Sequence, residues 1–188
     1  MSANLLELDD LKSYLGISNT SQDTILQNCL NASWAMMERI TGRELSQTTY
    51  TETKYWKPFK RRYTIITDNA PIIEVTSVKL DDTTVGSDYY LIDEEAGIIK
   101  FKFDAEFEKS EVQYKAGWYA LTATETPKIP MDLYWAGIKL AAWEFYKKKG
   151  RLGVKSVTGV NESITVYDDF DLQQIIGVIE AYRRIRVD

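Results

Sequence analysis

The sequence predicts an α+β protein in which a helical bundle is assembled from both chain ends and an antiparallel β domain is inserted between helices 2 and 3. Two observations carry this. Apolar residues step at three and four through the first forty-odd residues and again after Pro130, whereas from about Thr48 the period falls to two and β-branched and aromatic residues accumulate. The 188 residues, 44% hydrophobic and 27% charged, suffice for one full-sized domain or a domain carrying a smaller insertion. The expected boundaries are residues 1–47 with 125–188 for the helical domain and 48–124 for the β domain.

Taken in order, Asp9 is expected to cap a short helix through Leu11 and Leu15, with Gly16 where a left-handed stop is wanted. A longer helix follows, with a stripe of Ile25, Cys29, Ala32, Met36 and Ile40 joined by Leu26, Ser33 and Met37, and Gly42 at its end. Strands are expected near 49–56, 62–67, 74–80, 89–93, 98–103 and 111–115, forming an antiparallel meander or a small barrel-like sheet. Pro127 and Pro130 punctuate a polar linker, and Pro130 suits the first turn of a third helix that ends in Lys147-Lys148-Lys149-Gly150. Residues 153–167 have the composition of a hairpin arm with a long polar tip at Thr158-Gly-Val-Asn-Glu. A fourth helix is expected from Asp171, capped by that residue with Gln174 three positions on, its stripe running from Leu172 to Ile185.

Composition excludes much chemistry. There is no histidine and only one cysteine, Cys29, so a Ser/His/Asp or Cys/His nucleophile, an imidazole acid or base, an intrachain disulfide and a multi-cysteine zinc site cannot be built. The glycines form neither GxGxxG nor GxxxxGK[ST], so no phosphate-cradling loop of those kinds is encoded. No catalytic residue, cofactor or metal is expected. Paired acids remain the only catalytic signal: Asp81-Asp82, Glu94-Glu95 and Asp168-Asp169 with Asp171 could divide acid and base roles in a carboxylate-dependent glycan hydrolase. Each pair lies in an expected turn or helix start, where acids more often satisfy backbone donors.

Net charge is −5, so the chain as a whole repels nucleic acid and anionic membranes. No window approaches the roughly 20 apolar residues of a membrane span. Basic residues nevertheless cluster at Lys54, Lys57, Lys60, Arg61 and Arg62 among aromatics, at Lys147 to Arg151, and at Arg183, Arg184 and Arg186. Aromatic residues make up 12%, and Tyr50, Tyr55, Trp56, Tyr89, Tyr90, Trp118 and Tyr119 exceed what the core of one small sheet needs. Surplus Tyr and Trp favour a surface covered by another chain.

Three stretches then resemble a known family: Leu5-Leu-Glu-Leu-Asp-Asp-Leu-Lys-Ser-Tyr-Leu-Gly-Ile, Asn31-Ala-Ser-Trp-Ala-Met-Met-Glu-Arg-Ile-Thr-Gly-Arg, and Pro130-Met-Asp-Leu-Tyr-Trp-Ala-Gly-Ile-Lys-Leu-Ala-Ala-Trp-Glu-Phe-Tyr. With the arm and the closing Ile179-Glu-Ala-Tyr-Arg-Arg-Ile they are similar to the head-to-tail connector (adaptor) proteins of tailed phages. The resemblance implies a non-catalytic, four-helix adaptor in the virion neck, made in a bacterial host cytoplasm. It implies a ring of identical subunits, commonly twelve-fold, that docks on the portal protein, meets the next neck or tail protein, and carries DNA only as cargo through its channel. Tyr182, Arg183, Arg184 and Arg186 become the expected portal contacts, and Val154, Val157, Val160, Ile164 and Val166 of the arm the expected contacts between subunits. Another neck or tail-completion (stopper) protein is the neighbouring alternative. The β segment is the departure from the short adaptors, and its role does not follow from the resemblance.

Overall fold

A computed structural model describes residues 3–57, 61–148, 158–159, 162–163 and 169–183. Among these the chain is α+β, with four α-helices and two antiparallel sheets besides a small hairpin. It divides into two compact units, one formed by Asn4–Arg43 with Ile129–Arg183, the other by Met1–Ala3, Glu44–Lys128 and Arg184–Asp188.

The helical unit contains α1 (Leu8–Leu15), α2 (Asp23–Thr41), α3 (Met131–Lys148) and α4 (Asp169–Glu180). Gly16 and Gly42 stop α1 and α2 in the left-handed conformation, with φ of 67° and 71°. Asp9 does not cap α1: Glu7 holds the N-cap position, and Asp9 lies inside the first turn, where its charge opposes the helix dipole. The buried stripe of α2 is also rotated from the expected one. Leu26, Cys29, Leu30, Ser33, Trp34, Met37 and Thr41 are buried, whereas Ala32 is exposed and Ile25, Met36 and Ile40 are half-buried. Leu26, Cys29, Ser33 and Met37 of the expected stripe are buried, and the face turns towards Leu30, Trp34 and Thr41 instead of Ile25, Ala32, Met36 and Ile40; the buried hydroxyls of Ser33 and Thr41 are satisfied. Ser33 Oγ donates to the Gly137 carbonyl of α3 at 2.7 Å, and Thr41 Oγ1 donates to the Met37 carbonyl at 2.9 Å.

Gly137 lets α3 approach α2 and Leu6 closely: a Cβ there would stand 2.6 Å from Met37 Sδ and 2.9 Å from a Leu6 methyl, both ends of flexible side chains. Tyr134, buried one turn earlier on α3, donates to Asp10 and accepts from the Glu7 N–H at 3.2 Å, tying α3 to the start of α1. The Lys12–Asp23 ion pair, at 2.8 Å, links α1 to α2.

The fourth helix starts at Asp169, two residues before the expected cap, so Asp171 is an intrahelical residue. It ends at Glu180, short of Ile185. Tyr182 and Arg183 close it through i→i−3 bonds to the Ile179 and Glu180 carbonyls, and Ile185 lies outside the described residues. In the arm, Thr158 pairs with Ser163 and Gly159 with Glu162, a tighter hairpin than the long tip expected. Val154, Val157, Val160, Ile164 and Val166 lie outside the described residues, as do Arg184 and Arg186.

The β unit holds β1 (Thr48–Tyr55), β2 (Arg62–Ile66), β3 (Ile72–Leu80), β4 (Thr83–Val85), β5 (Tyr90–Asp93), β6 (Ile98–Ala105) and β7 (Lys109–Ala116). It is not a meander. One sheet has the order β1-β7-β3-β4 and the other β2-β6-β5, so β7 lies between the first and third strands. The short β4 was not anticipated from sequence; it pairs with β3 across a two-residue turn made by Asp81 and Asp82, both with positive φ. Alternation then decides the faces. On β7, Ser110, Val112, Tyr114 and Ala116 are buried while Lys109, Glu111, Gln113 and Lys115 face outward. The core draws Ile72, Val78, Val112 and Tyr114 from one sheet and Ile65, Tyr90, Ile99 and Phe101 from the other.

Candidate functional site

The acid pairs expected as catalytic candidates are dispersed. Asp81 accepts from the Glu108 and Lys109 backbone N–H groups at 3.0 and 2.9 Å, and Asp82 pairs with Lys109 at 2.6 Å, which holds its carboxyl below the usual range. Glu94 and Glu95 are exposed in the β5–β6 turn. Asp171 sits on α4, and Asp168 lies outside the described residues. Among the described residues no group of three acids or thiols is placed to hold a metal ion, and Cys29 is buried with its thiol pushed up by desolvation.

Trp56 and Trp118, the aromatics a glycan cleft in the β unit would use, are both committed to packing. Trp56 donates from Nε1 to Ser110 Oγ at 3.0 Å and meets Phe107 edge-on, while Trp118 is buried and donates from its backbone to Leu45.

Within the basic and aromatic run of 54–63, Lys54 and Arg61 are paired with carboxylates, and Lys60 lies outside the described residues. Lys54 bonds the Asp68 carboxylate at 2.7 Å and the Ile66 carbonyl at 2.6 Å. Arg61 faces Asp104 and Glu106 at 3.2 and 3.3 Å, and the Arg62 guanidinium lies 4.1 Å from the Trp56 ring centre. A phosphate group would have to displace the carboxylates from Lys54 and Arg61 to use those two cations. The expected surplus of aromatics divides: Tyr90 and Trp118 are core, Tyr50 packs on Tyr114, and Tyr55 and Tyr89 are left 78% and 60% exposed.

The helical unit presents the more constructed surface. At the end of α4 the Tyr182 hydroxyl donates to Asp132 of α3 at 2.7 Å, and burial with that hydrogen bond pushes its pKa up to about 12. Arg183 follows, fully exposed. The same Asp132 lines a cleft of about 310 Å³ between α1, α3 and α4, whose floor and walls include Tyr14, Trp135, Ile175 and Val178. The Tyr14 and Trp135 rings stand 6.4 Å apart. Sequence reasoning found Tyr182 and Arg183 but missed the cleft: Tyr14 and Trp135 are 121 positions apart, and only the packing of α1 on α3 brings them together. At the far end of α3, Lys147 and Lys148 are exposed, with the Lys147 ammonium 4.8 Å from the Trp143 ring centre.

These surfaces are exposed faces and one cleft on an α+β scaffold. A family model described as head completion protein matches residues 4–185, nearly the whole sequence. The chain belongs to the head completion protein family, in agreement with its resemblance to head-to-tail connectors. Its fold is similar to chains of three solved structures: the neck of an empty gene transfer agent (GTA) particle computed with C6 symmetry, the neck of the native GTA particle computed with C12 symmetry, and the virion of the native particle. TM-scores are 0.60, 0.58 and 0.57, each at 19% identity. The first two likenesses cover 100% of this chain and 95% of the other, and the third 98% and 92%. A comparison with curated proteins gave no match.

Proposed function

We propose that this chain is a head-to-tail connector of a tailed-phage-like virion, a non-catalytic neck component that forms a twelve-fold ring on the portal and extends the DNA channel towards the tail. The observation that carries the proposal is the match of residues 4–185 to the head completion family. The end-to-end fold likeness to a neck chain of a particle with C12 symmetry supports it. In this reading the four helices of 1–47 and 125–188 are the adaptor bundle and 48–124 is a β insertion. Tyr182, Arg183, Arg184 and Arg186 face acidic groups of the portal, and the arm of 153–167, with Val154, Val157, Val160, Ile164 and Val166, reaches a neighbouring subunit.

Native mass spectrometry of the full chain with and without portal protein tests the reading, and a ring on the portal is the expected result. Replacing all three arginines by Asp abolishes portal capture in a pull-down, and deleting 153–167 leaves a folded monomer that makes no ring. A chain that stays solitary with portal present overturns the proposal.

A further inference from the structure

The cleft between α1, α3 and α4 combines an apolar floor, Ile175 and Val178, with two aromatic rings, Tyr14 and Trp135, and two carboxylates, Asp132 and Asp171, against a single lining cation, Lys139. Tyr14 and Val178 are each 37% exposed, so the apolar surface is accessible. Such a lining suits a segment that alternates cationic and aliphatic side chains: the rings offer faces to an ammonium or guanidinium, the acids offer counter-charge, and the floor takes methyl groups.

This chain itself carries a segment of that chemistry besides the C-terminal arginines, which the reading above gives to the portal. From the end of α3 the sequence runs Lys147-Lys148-Lys149-Gly150-Arg151-Leu152-Gly153-Val154-Lys155, with five cations, no acid, and Leu152 and Val154 as aliphatics. The described start of the segment, Lys147 and Lys148, is exposed. Along α3 the described start of the segment, Lys147, stands roughly 22 Å beyond Asp132, at about 1.5 Å per residue, so it and the cleft occupy separate parts of one helical unit. A surface and its complement at different places on one subunit make a heterologous contact, the kind that repeats from copy to copy and closes rings.

We infer that the α1/α3/α4 cleft receives the basic root of the arm, residues 147–155, from a second copy of this chain. The inference rests on the ring reading above and gives the arm its acceptor site. Asp171 and Asp132 meet the cations of the neighbour's segment, and Ile175 and Val178 meet its Leu152 and Val154.

Charge-swap complementation in the full chain tests it. Asp171→Lys alone, and Lys149→Glu with Arg151→Glu alone, are each expected to lower the oligomer fraction in native mass spectrometry roughly tenfold, with portal protein present if the wild type needs it. Unchanged far-UV circular dichroism checks that each variant is folded, and Tyr14→Ala supplies a cleft variant without a charge change. Mixing the two charge variants restores assembly, because each altered cleft then meets an altered arm while the unaltered cleft meets the unaltered arm. If the cleft variants assemble like the wild type, the assignment is wrong although the ring reading stands. If assembly returns only when both changes are placed in one chain, the segment docks on its own subunit and the inference is overturned. A wild type that makes no oligomer even on the portal removes the ring reading and this contact together.

Discussion

In the helical unit a glycine is pressed against side chains, and in the β unit a glycine is pressed against backbone. A Cβ on Gly137 would meet Met37 Sδ and Leu6 methyls, groups at the ends of flexible side chains. A Cβ on Gly117, whose φ is 116°, would stand 2.4 Å from the Ser46 carbonyl oxygen, which has no rotamer to change. The polar groups differ in the same way. Tyr134, buried, ties α3 to the start of α1 alone, whereas Tyr114, also buried, holds Glu52 of β1 and the Asn69 N–H, at 3.1 Å, in one network; Glu52 also accepts from the Asp68 N–H at 3.0 Å. Helices sliding on apolar stripes tolerate adjustment. A sheet pinned by backbone approach and a closed polar network does not.

The sharpest break of this contrast is Gly117→Ala. It combines a φ that side-chain-bearing residues rarely adopt with a backbone clash, and is expected to cost roughly 3–5 kcal/mol, read as a large fall of the urea midpoint. Tyr114→Phe comes next, at about 1–3 kcal/mol, because it removes the buried hydroxyl that joins Glu52 to the Asn69 N–H and takes from that half-buried N–H its acceptor. By contrast Gly137→Ala is expected to cost only about 1 kcal/mol, since the overpacking of Met37 and Leu6 is partly offset by the better helix propensity of alanine. A larger loss at 137 than at 117 would invert the comparison.

Tyr182 sharpens it through pH. Its folded-state pKa, pushed up to about 12, lies above the unfolded value near 10, so its contribution is fully present below pH 10 and lost as pH rises from 10 to 12. Tyr182→Phe should therefore lower the thermal midpoint below pH 10, where the contribution is present, and flatten part of the alkaline fall, so that the two proteins converge as pH approaches 12. The smallest effect is expected at Arg61→Gln. Its two ion pairs are solvent-exposed, and thermal melts should not distinguish the variant from the wild type.

Periodicity made the helices legible because a stripe at three and four has few other uses, and the left-handed stops at Gly16 and Gly42 stand where the glycines predicted them. It turned the face of α2 by part of a turn: Ser33 is expected inside, but Leu30, Trp34 and Thr41, the last held by a hydrogen bond that a hydrophobic pattern does not register, are not. It misjudged the last helix for a related reason. Leu172 to Ile185 keeps an apolar spacing, yet i→i−3 bonds at Tyr182 and Arg183 end α4 early. Strand positions were largely legible from alternation, but their partners were not. The pairing of Thr48 with Ala116 joins residues far apart in the chain, and nothing local specifies it over a meander.

For the candidate surfaces the division is similar. The cations of 147–155 and 183–186, the lack of histidine and the resemblance to connectors are properties of the chain as written, and they directed attention to contact rather than catalysis. That Lys54 and Arg61 are answered by nearby carboxylates, and that Tyr14, Trp135, Asp132 and Asp171 line one cleft, was decided by tertiary structure alone. Composition and periodicity follow from covalent order and local geometry. Which side chains converge depends on packing between segments distant in sequence, and that is settled by the burial of all of them at once.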